Sequence, residues 1–145
     1  MNRKRSFKVP VGWVVLVVAF LLWRQFGPGL PTDTALGGSE IAELFARQQS
    51  GVMVQFDARV QRLLKDDKEG SRHQRFVLEL DNGHTVLVAH NLDLSPRVPL
   101  AEWDPVRIRG EYEWNAQGGV VHWTHRDPGA GLKHGWIEHK GERYE

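Results

Sequence analysis

The sequence predicts a mainly β protein with a small closed barrel. Apolar and polar residues alternate from Val52 onward, which is the period of a β-strand. Two hairpin signals follow, Asn82-Gly83 and Gln117-Gly118. A long first strand, a hairpin, an irregular crossover and a second hairpin then form the order of a five-stranded OB-like (Greek-key) barrel. We predict that an N-terminal transmembrane helix and a short amphipathic helix precede this barrel. An SH3-like barrel and a small open β-sandwich are the alternatives.

The N-terminal residues have the composition of a membrane anchor. Residues 1–8 are basic, and Val9–Trp23 is an unbroken apolar run that ends at Arg24. A helix of this length spans about 22 Å, short of the bilayer's ~30 Å hydrocarbon core, but its flanking cations can snorkel. Four cations precede the run, which places the N-terminus in the cytoplasm. We therefore predict a cytoplasmic segment 1–8, a single-pass inner-membrane anchor at 9–24 and a C-terminal domain in the periplasm.

A cleaved signal peptide is the alternative interpretation of this segment, since its basic and apolar regions have similar lengths. Its cleavage site would follow a small-x-small triplet, and the best candidate, Ala35-Leu36-Gly37, lies well downstream of the apolar run. A buried core helix is a third interpretation, but four basic residues precede the run and none of its faces is polar. The sequence therefore favours a segment that is not cleaved, either a membrane anchor or a signal sequence that is retained.

Residues 25–50 are predicted to be a linker and a short helix. Gly and Pro dominate residues 27–38, as in a linker. Ser39 can cap a helix over Glu40–Gln49. Its apolar stripe, which would dock on the barrel, consists of Ile41, Leu44 and Phe45.

Residues 51–145 are predicted to be the OB-like β domain. The first strand runs from Val52 as far as Leu64, and a charged loop at 65–70 follows it. The remaining predicted strands are Arg72–Asp81, His84–His90, Asp104–Asn115, Val120–His125 and a short one at 135–139, with an irregular crossover at Asn91–Trp103.

The hairpin signals also predict strand registers. A two-residue type I′ turn at Asn82-Gly83 pairs Leu78 with Leu87 and Phe76 with Ala89, which leaves apolar residues on both faces. The second hairpin would bury one face and expose the other. Its buried pairs would be Trp114 with Val121 and Tyr112 with Trp123, and its polar pairs Glu113 with His122 and Glu111 with Thr124.

Several motifs resemble a bacterial domain of unknown function, family 3465. They occur in order over about residues 70–140. The resemblance implies a small β-rich domain of the bacterial cell envelope and carries no activity or catalytic residue to transfer. The motifs are Gly70–Phe76, Ala89–Arg97, Gly110–Asn115, Gly118–Pro128 and His134–Ile137.

We predict a membrane-tethered binding or assembly module without catalysis, whose ligand is a protein, a glycan or a small anion. Polar residues gather where the second and third strands meet the crossover, a region that OB-type folds use for binding. An alternative is that these residues only fix loops, with Asn91 and Asp93 capping turns and Arg97 paired with Asp93. The candidate ligand-binding residues are His73, Arg75, His90, Asn91, Asp93, Arg97, Glu113 and His122.

A metal-dependent hydrolase, nuclease-like and in the cell envelope, is the alternative function. Imidazole and carboxylate groups are suitable zinc ligands, here His90, His122, His125 and Asp127, with Asp93 nearby. However, His122 and His125 would point to opposite faces of one strand. No nucleophile has a recognisable triad context, so catalytic residues are unidentified and no cofactor is predicted.

Charge and cysteine content exclude or disfavour several classes of site and partner. Cysteine is absent, which excludes disulfides, thiolate zinc sites and a cysteine nucleophile. Residues 25–145 hold fourteen Lys/Arg against eighteen Asp/Glu, a net charge of −4. Because binding along a nucleic-acid backbone requires a basic surface, nucleic acid is a less favoured partner.

Overall fold

The computed structural model describes residues 37–129, 131 and 134–145. The predicted cytoplasmic segment and the predicted anchor lie outside the described residues. Among the residues described, no helix is long and apolar enough to cross a membrane. The elements are α1 (Gly38–Ala46), β1 (Val52–Leu63), β2 (His73–Glu79), β3 (Thr85–Asn91), β4 (Pro105–Glu113), β5 (Val120–His122), β6 (Trp136–His139) and β7 (Glu142–Tyr144).

Five of the strands close into a barrel. Their order is β1-β2-β3-β5-β4, and β4 pairs back with β1. Only the β3–β5 pairing among them is parallel. β6 pairs with the first half of β4, and β7 pairs with β6. In the described residues the predicted mainly β, five-stranded closed barrel with one short helix is confirmed, and it is OB-like in its Greek-key order.

β1 is long because it belongs to both sides of the barrel. Its residues 52–59 pair with β4, and residues 59–63 pair with β2. The register shifts between Val60 and Arg62, which makes Gln61 the extra residue of a β-bulge. A bulge bends a strand and increases its twist, so it allows one strand to close the barrel.

The helix adds a side chain to the barrel core. Ile41 is fully buried in the same apolar cluster as Phe56, Phe76 and Tyr112. α1 begins and ends a few residues earlier than predicted, with Gly37 as its N-cap. The N–H of Gly38 donates to Asp81 Oδ1 at 3.1 Å, and a Cβ at Gly38 would lie 2.1 Å from that oxygen. A side chain at this position would have to displace the Asp81 carboxylate and so disturb the contact of the helix with the β2–β3 loop.

The predicted register of the β2–β3 hairpin is wrong by one residue. Leu78 pairs with Val86, rather than with Leu87. The loop has three residues, because Gly83 N–H and Leu80 N–H close it with bonds to Leu80 O and His84 O. Among the three loop residues only Gly83 has a positive φ, of 81°. This is a three-residue loop with a glycine bulge, whereas a type I′ turn requires two positive φ angles.

One face of this hairpin is therefore buried, and the other is half-buried. The buried positions of β2 are Gln74, Phe76 and Leu78, and those of β3 are Val86, Val88 and His90. Apolar residues occur on both faces, as predicted, because Val77, Leu87 and Ala89 lie on the half-buried face. The shift of one residue changes which residues face each other across the two strands.

The predicted register of the β4–β5 hairpin is wrong by two residues. Glu111 pairs with His122, and Tyr112 pairs with Val121. The loop is longer than predicted, since the Asn115 side chain accepts the N–H groups of Gln117 (2.9 Å) and Gly119 (3.1 Å). An even shift preserves the faces, so Tyr112 is buried as expected.

The end of β5 departs from the predicted alternation. Trp123 has a φ of 55° and follows the last residue of the strand. It is half-buried and outside the core, whereas Thr124 is fully buried rather than on the polar face. Trp114, which we predicted in the core, is half-buried and packs against the core cluster.

Candidate functional site

The β3–β4 crossover and the β1–β2 loop meet at one end of the barrel. Both follow strands that run in the same direction, because β2 is antiparallel to each of them. Between them lies a cleft of about 310 Å³, which we call the crossover cleft. It is lined by Asp66, Lys68, Arg72, Leu92, Ser95, Pro96 and Arg97.

Two exposed ion pairs border this cleft. Arg72 donates to the Asp93 carboxylate through its backbone N–H (2.9 Å) and its Nε (2.8 Å). These bonds, the backbone one first, lower the pKa of Asp93. Arg97 pairs with Asp66 instead. The proposed Arg97–Asp93 pair is therefore wrong, and each arginine connects a different part of the loop to the crossover.

Asn91 and Asp93 shape the start of the crossover. The Asn91 side chain accepts the N–H of Asp93 at 2.8 Å, and the Asn91 backbone oxygen accepts the N–H of Ser95 at 3.1 Å. A side chain that accepts a backbone N–H two residues later forms an Asx turn. Turn capping, one part of the loop-fixing alternative, is thus confirmed for Asn91, whereas the Asp93 carboxylate accepts hydrogen bonds from Arg72.

Ser95 stands out in the wall of the cleft. Only 6% of the residue is exposed, and within the described part of the chain its hydroxyl has no hydrogen-bond partner. A buried polar group without a partner costs about 1–3 kcal/mol. A bound group that accepted a hydrogen bond from this hydroxyl would remove that cost.

His90 is hydrogen-bonded to the crossover from within the barrel. It is fully buried, its Nε2–H donates to Pro96 O at 3.0 Å, and its Nδ1 accepts the Thr124 hydroxyl at 2.8 Å. The tautomer follows because a carbonyl oxygen can only accept. Burial lowers the pKa of His90, with smaller contributions from the charges of His125 and His73. The imidazole is thus neutral at pH 7, and both of its nitrogens are engaged.

His73 and Arg75 lie beside the cleft and hold the β1–β2 loop. His73 pairs with Asn91 across the sheet and shares two backbone hydrogen bonds with Asp67. Arg75 Nε donates to Lys65 O at 3.1 Å. The structure therefore places the six predicted residues at this barrel end, and one of them, Arg97, lines the cleft.

The other predicted residues lie elsewhere on the barrel. Glu113 and His122 are on the β4–β5 hairpin, where Oε1 and Nε2 are 3.9 Å apart. His125 is buried, and its Nδ1–H donates to Arg126 O at 2.7 Å. Asp127 accepts the N–H of Gly129 at 2.8 Å. Over residues 37–129, 131 and 134–145, no three His, Asp or Glu side chains are grouped so that they could hold a metal ion. The metal hypothesis stays a prediction.

Sequence reasoning missed most of the cleft's lining. It predicted only a charged loop at 65–70 and no site there, yet Asp66 and Lys68 line the cleft. The predicted strand order did contain this information. β1 and β3 are both antiparallel to β2, so they end at the same end of the barrel. The loop after β1 was therefore bound to lie near the crossover after β3.

The family comparison agrees with the motifs. The sequence model of the family described as "Protein of unknown function (DUF3465)" matches residues 28–145. The chain belongs to the DUF3465 family. No curated protein sequence matches this DUF3465 chain.

Solved structures resemble the barrel of this DUF3465 protein. The crystal structure of a HINb domain matches with a TM-score of 0.50 and 13% identity, over 96% of this chain and 56% of that one. A structure described as the molecular basis for abrogation of activation of pro-inflammatory cytokines gives a TM-score of 0.46 and 15% identity, over 92% and 50%. The chain thus spans about half the length of these structures. At such identities the likeness concerns the fold alone.

Proposed function

We propose that this protein is a binding module that holds a small anion in the crossover cleft. The observation that carries the proposal is the buried Ser95 hydroxyl, which lacks a partner among the described residues. It lies in a cleft that is also lined by Lys68, Arg72 and Arg97. A phosphate-like or carboxylate-like group would accept hydrogen bonds from the hydroxyl and from the planar guanidinium groups.

The existing ion pairs do not preclude such a ligand. The side chains of Arg72 and Arg97 are 63% and 52% exposed, and exposed pairs contribute only about 0–1 kcal/mol. Replacing a carboxylate partner by a bound anion therefore costs little. A long polyanion is less suitable than a small one, because residues 25–145 carry a net charge of −4.

The binding proposal is tested by titrating the full chain in detergent micelles with inorganic phosphate and measuring heat by calorimetry. We expect saturable binding that Arg97→Gln and Ser95→Ala each weaken at least about tenfold. The reason is that a hydrogen bond to a charged group contributes about 1.5–3 kcal/mol, and 1.4 kcal/mol is a factor of ten.

Arg107→Gln is the matched control for this titration. Arg107 also forms an exposed salt bridge, with Asp57, but lies outside the crossover cleft. Its substitution should leave the phosphate affinity unchanged. Equal weakening in Arg107→Gln and Arg97→Gln would reveal only a general effect of positive charge, and the proposed site would be rejected.

We further propose that residues 9–24 tether this module to the bacterial inner membrane, with the barrel in the periplasm. The basic flank and the apolar run support this arrangement. Alkaline phosphatase, which is active only after export, should be active and membrane-bound when joined after Glu145. A chain lacking residues 1–24 is the control and should give an inactive fusion. Active fusion in the soluble periplasm would instead indicate a cleaved signal peptide.

A further inference from the structure

A second cleft lies where the middle of β1 meets the end of β2 and the start of β4. Its volume is about 270 Å³, and it shares no lining residue with the crossover cleft. We call it the Trp103 cleft. It is lined by Asp57, Ala58, Arg59, Glu79, Leu80, Asp81, Trp103 and Pro105.

Trp103 is exposed at this cleft, and hydrogen bonds hold its backbone in place. It is 60% exposed, more than any other large hydrophobic residue that the structure describes. Its φ is 71°, a conformation that is strained for a bulky residue. The backbone is held there because Trp103 N–H donates to Val60 O at 2.6 Å and Trp103 O accepts Arg59 Nη1 at 3.3 Å. Strain of this kind persists only where the surrounding structure holds the backbone in place, and it is common at binding and active sites.

Three carboxylates line the same cleft as the indole, and two of them accept hydrogen bonds from uncharged donors. Glu79 accepts the amide of Gln61 at 2.9 Å, and Asp81 accepts the N–H of Gly38 at 3.1 Å. Neither forms a salt bridge with another residue in the described ranges. Asp57 differs, since Arg107 pairs with both of its oxygens. Arg59 also lines the cleft, so Glu79, Asp81 and Arg59 together leave a net charge of −1 beside the aromatic ring once Arg107 is paired with Asp57.

We propose that the Trp103 cleft binds an arginine or lysine side chain of a partner protein. A cation near the face of an indole is attracted by the ring's quadrupole. The aliphatic stem of such a side chain would pack on Ala58, Leu80 and Pro105, as long cationic side chains do on apolar surfaces. Its charged end would reach Glu79 or Asp81. This site is independent of the proposed anion site and gives the module a second, oppositely charged ligand.

The test uses the full chain in detergent micelles and a labelled peptide that carries three arginines among alanines and glycines. Fluorescence anisotropy measures its binding against the same peptide with citrulline, a neutral isostere of arginine. We expect the arginine peptide to bind at least tenfold more tightly than the citrulline peptide. Its affinity should fall as salt is added, because salt screens the charges. Trp103→Ala should reduce its affinity at least fivefold, and Glu79→Gln at least threefold.

Two further variants complete the design. Asp93→Asn removes a carboxylate from the other site and should leave peptide binding unchanged, while thermal melts confirm that each variant folds. Glu79→Gln keeps the test decisive if Trp103→Ala fails to fold. The proposal is overturned if the citrulline peptide binds equally well, or if both Trp103→Ala and Glu79→Gln bind normally. Tighter binding of chitotriose, a neutral sugar, than of the arginine peptide would also overturn it and indicate a glycan site.

Discussion

Leu78→Ala is expected to lower the free energy of unfolding by about 2–5 kcal/mol, whereas Leu87→Ala should lower it by less than about 1.5 kcal/mol. Leu78 is fully buried in the core, opposite Val86. Leu87 is on the other, half-buried face of the same hairpin, opposite Val77. Both substitutions remove the same atoms, so the difference measures the environment alone. Urea unfolding of the two variants provides the comparison.

This pair of variants also tests the register of the β2–β3 hairpin. A two-residue turn would place Leu78 opposite Leu87 on one face, and the two substitutions would then have similar costs. In the observed register the two leucines lie on different faces, so the two substitutions should have different costs. The backbone N–H of Leu87 still donates to Gly119 O after its side chain is shortened. Equal losses of stability would therefore contradict the three-residue loop.

The strand order could be predicted because it depends on a pattern that every strand repeats. Alternation over Val52–Leu63 identifies a strand that is too long for one side of a small barrel. A parallel β3–β5 pairing then follows from the two hairpins and the crossover between them. These features need only local periodicity and connection lengths, both of which are visible in the sequence.

The register of the β2–β3 hairpin could not be predicted because its loop makes a long-range contact. Asn82-Gly83 is compatible with both a two-residue and a three-residue loop. In the structure Asp81 belongs to the loop, and its side chain accepts the N–H of Gly38 from the helix. That contact joins residues 43 positions apart. Local turn preferences contain no information about it.

The candidate site was predicted in outline and not in its contacts. His90, Asn91, Asp93 and Arg97 do lie at one barrel end, since they follow one strand. Their roles depend on the path of the crossover, which turns His90 inward between Thr124 and Pro96. The same path buries the Ser95 hydroxyl. An irregular segment has no period, so its inward and outward residues cannot be inferred from sequence.

The β4–β5 loop depends on a close contact between a glycine and a buried ring. Gly119 has a φ of 95°, and a Cβ at this position would lie 2.3 Å from Tyr112 Cε2. Tyr112 is fully buried, so its ring cannot move aside. Gly141 also has a positive φ, of 79°, but nothing lies within 4 Å of its Cβ position. The two glycines share the backbone requirement and differ in the space around them.

Gly119→Ala is therefore expected to lower the free energy of unfolding by about 3 kcal/mol or more, and Gly141→Ala by about 1–2 kcal/mol. The left-handed conformation costs about 1–2 kcal/mol for a residue with a Cβ, and overpacking a core adds about 1–3 kcal/mol. Urea unfolding of both variants measures the difference, which isolates the contact with Tyr112. A small domain has only about 5–15 kcal/mol of stability, so Gly119→Ala should remove a large part of it. Equal costs for the two variants would mean that the loop moves away from Tyr112 at little expense, and the tight packing of this hairpin would then not be required for folding.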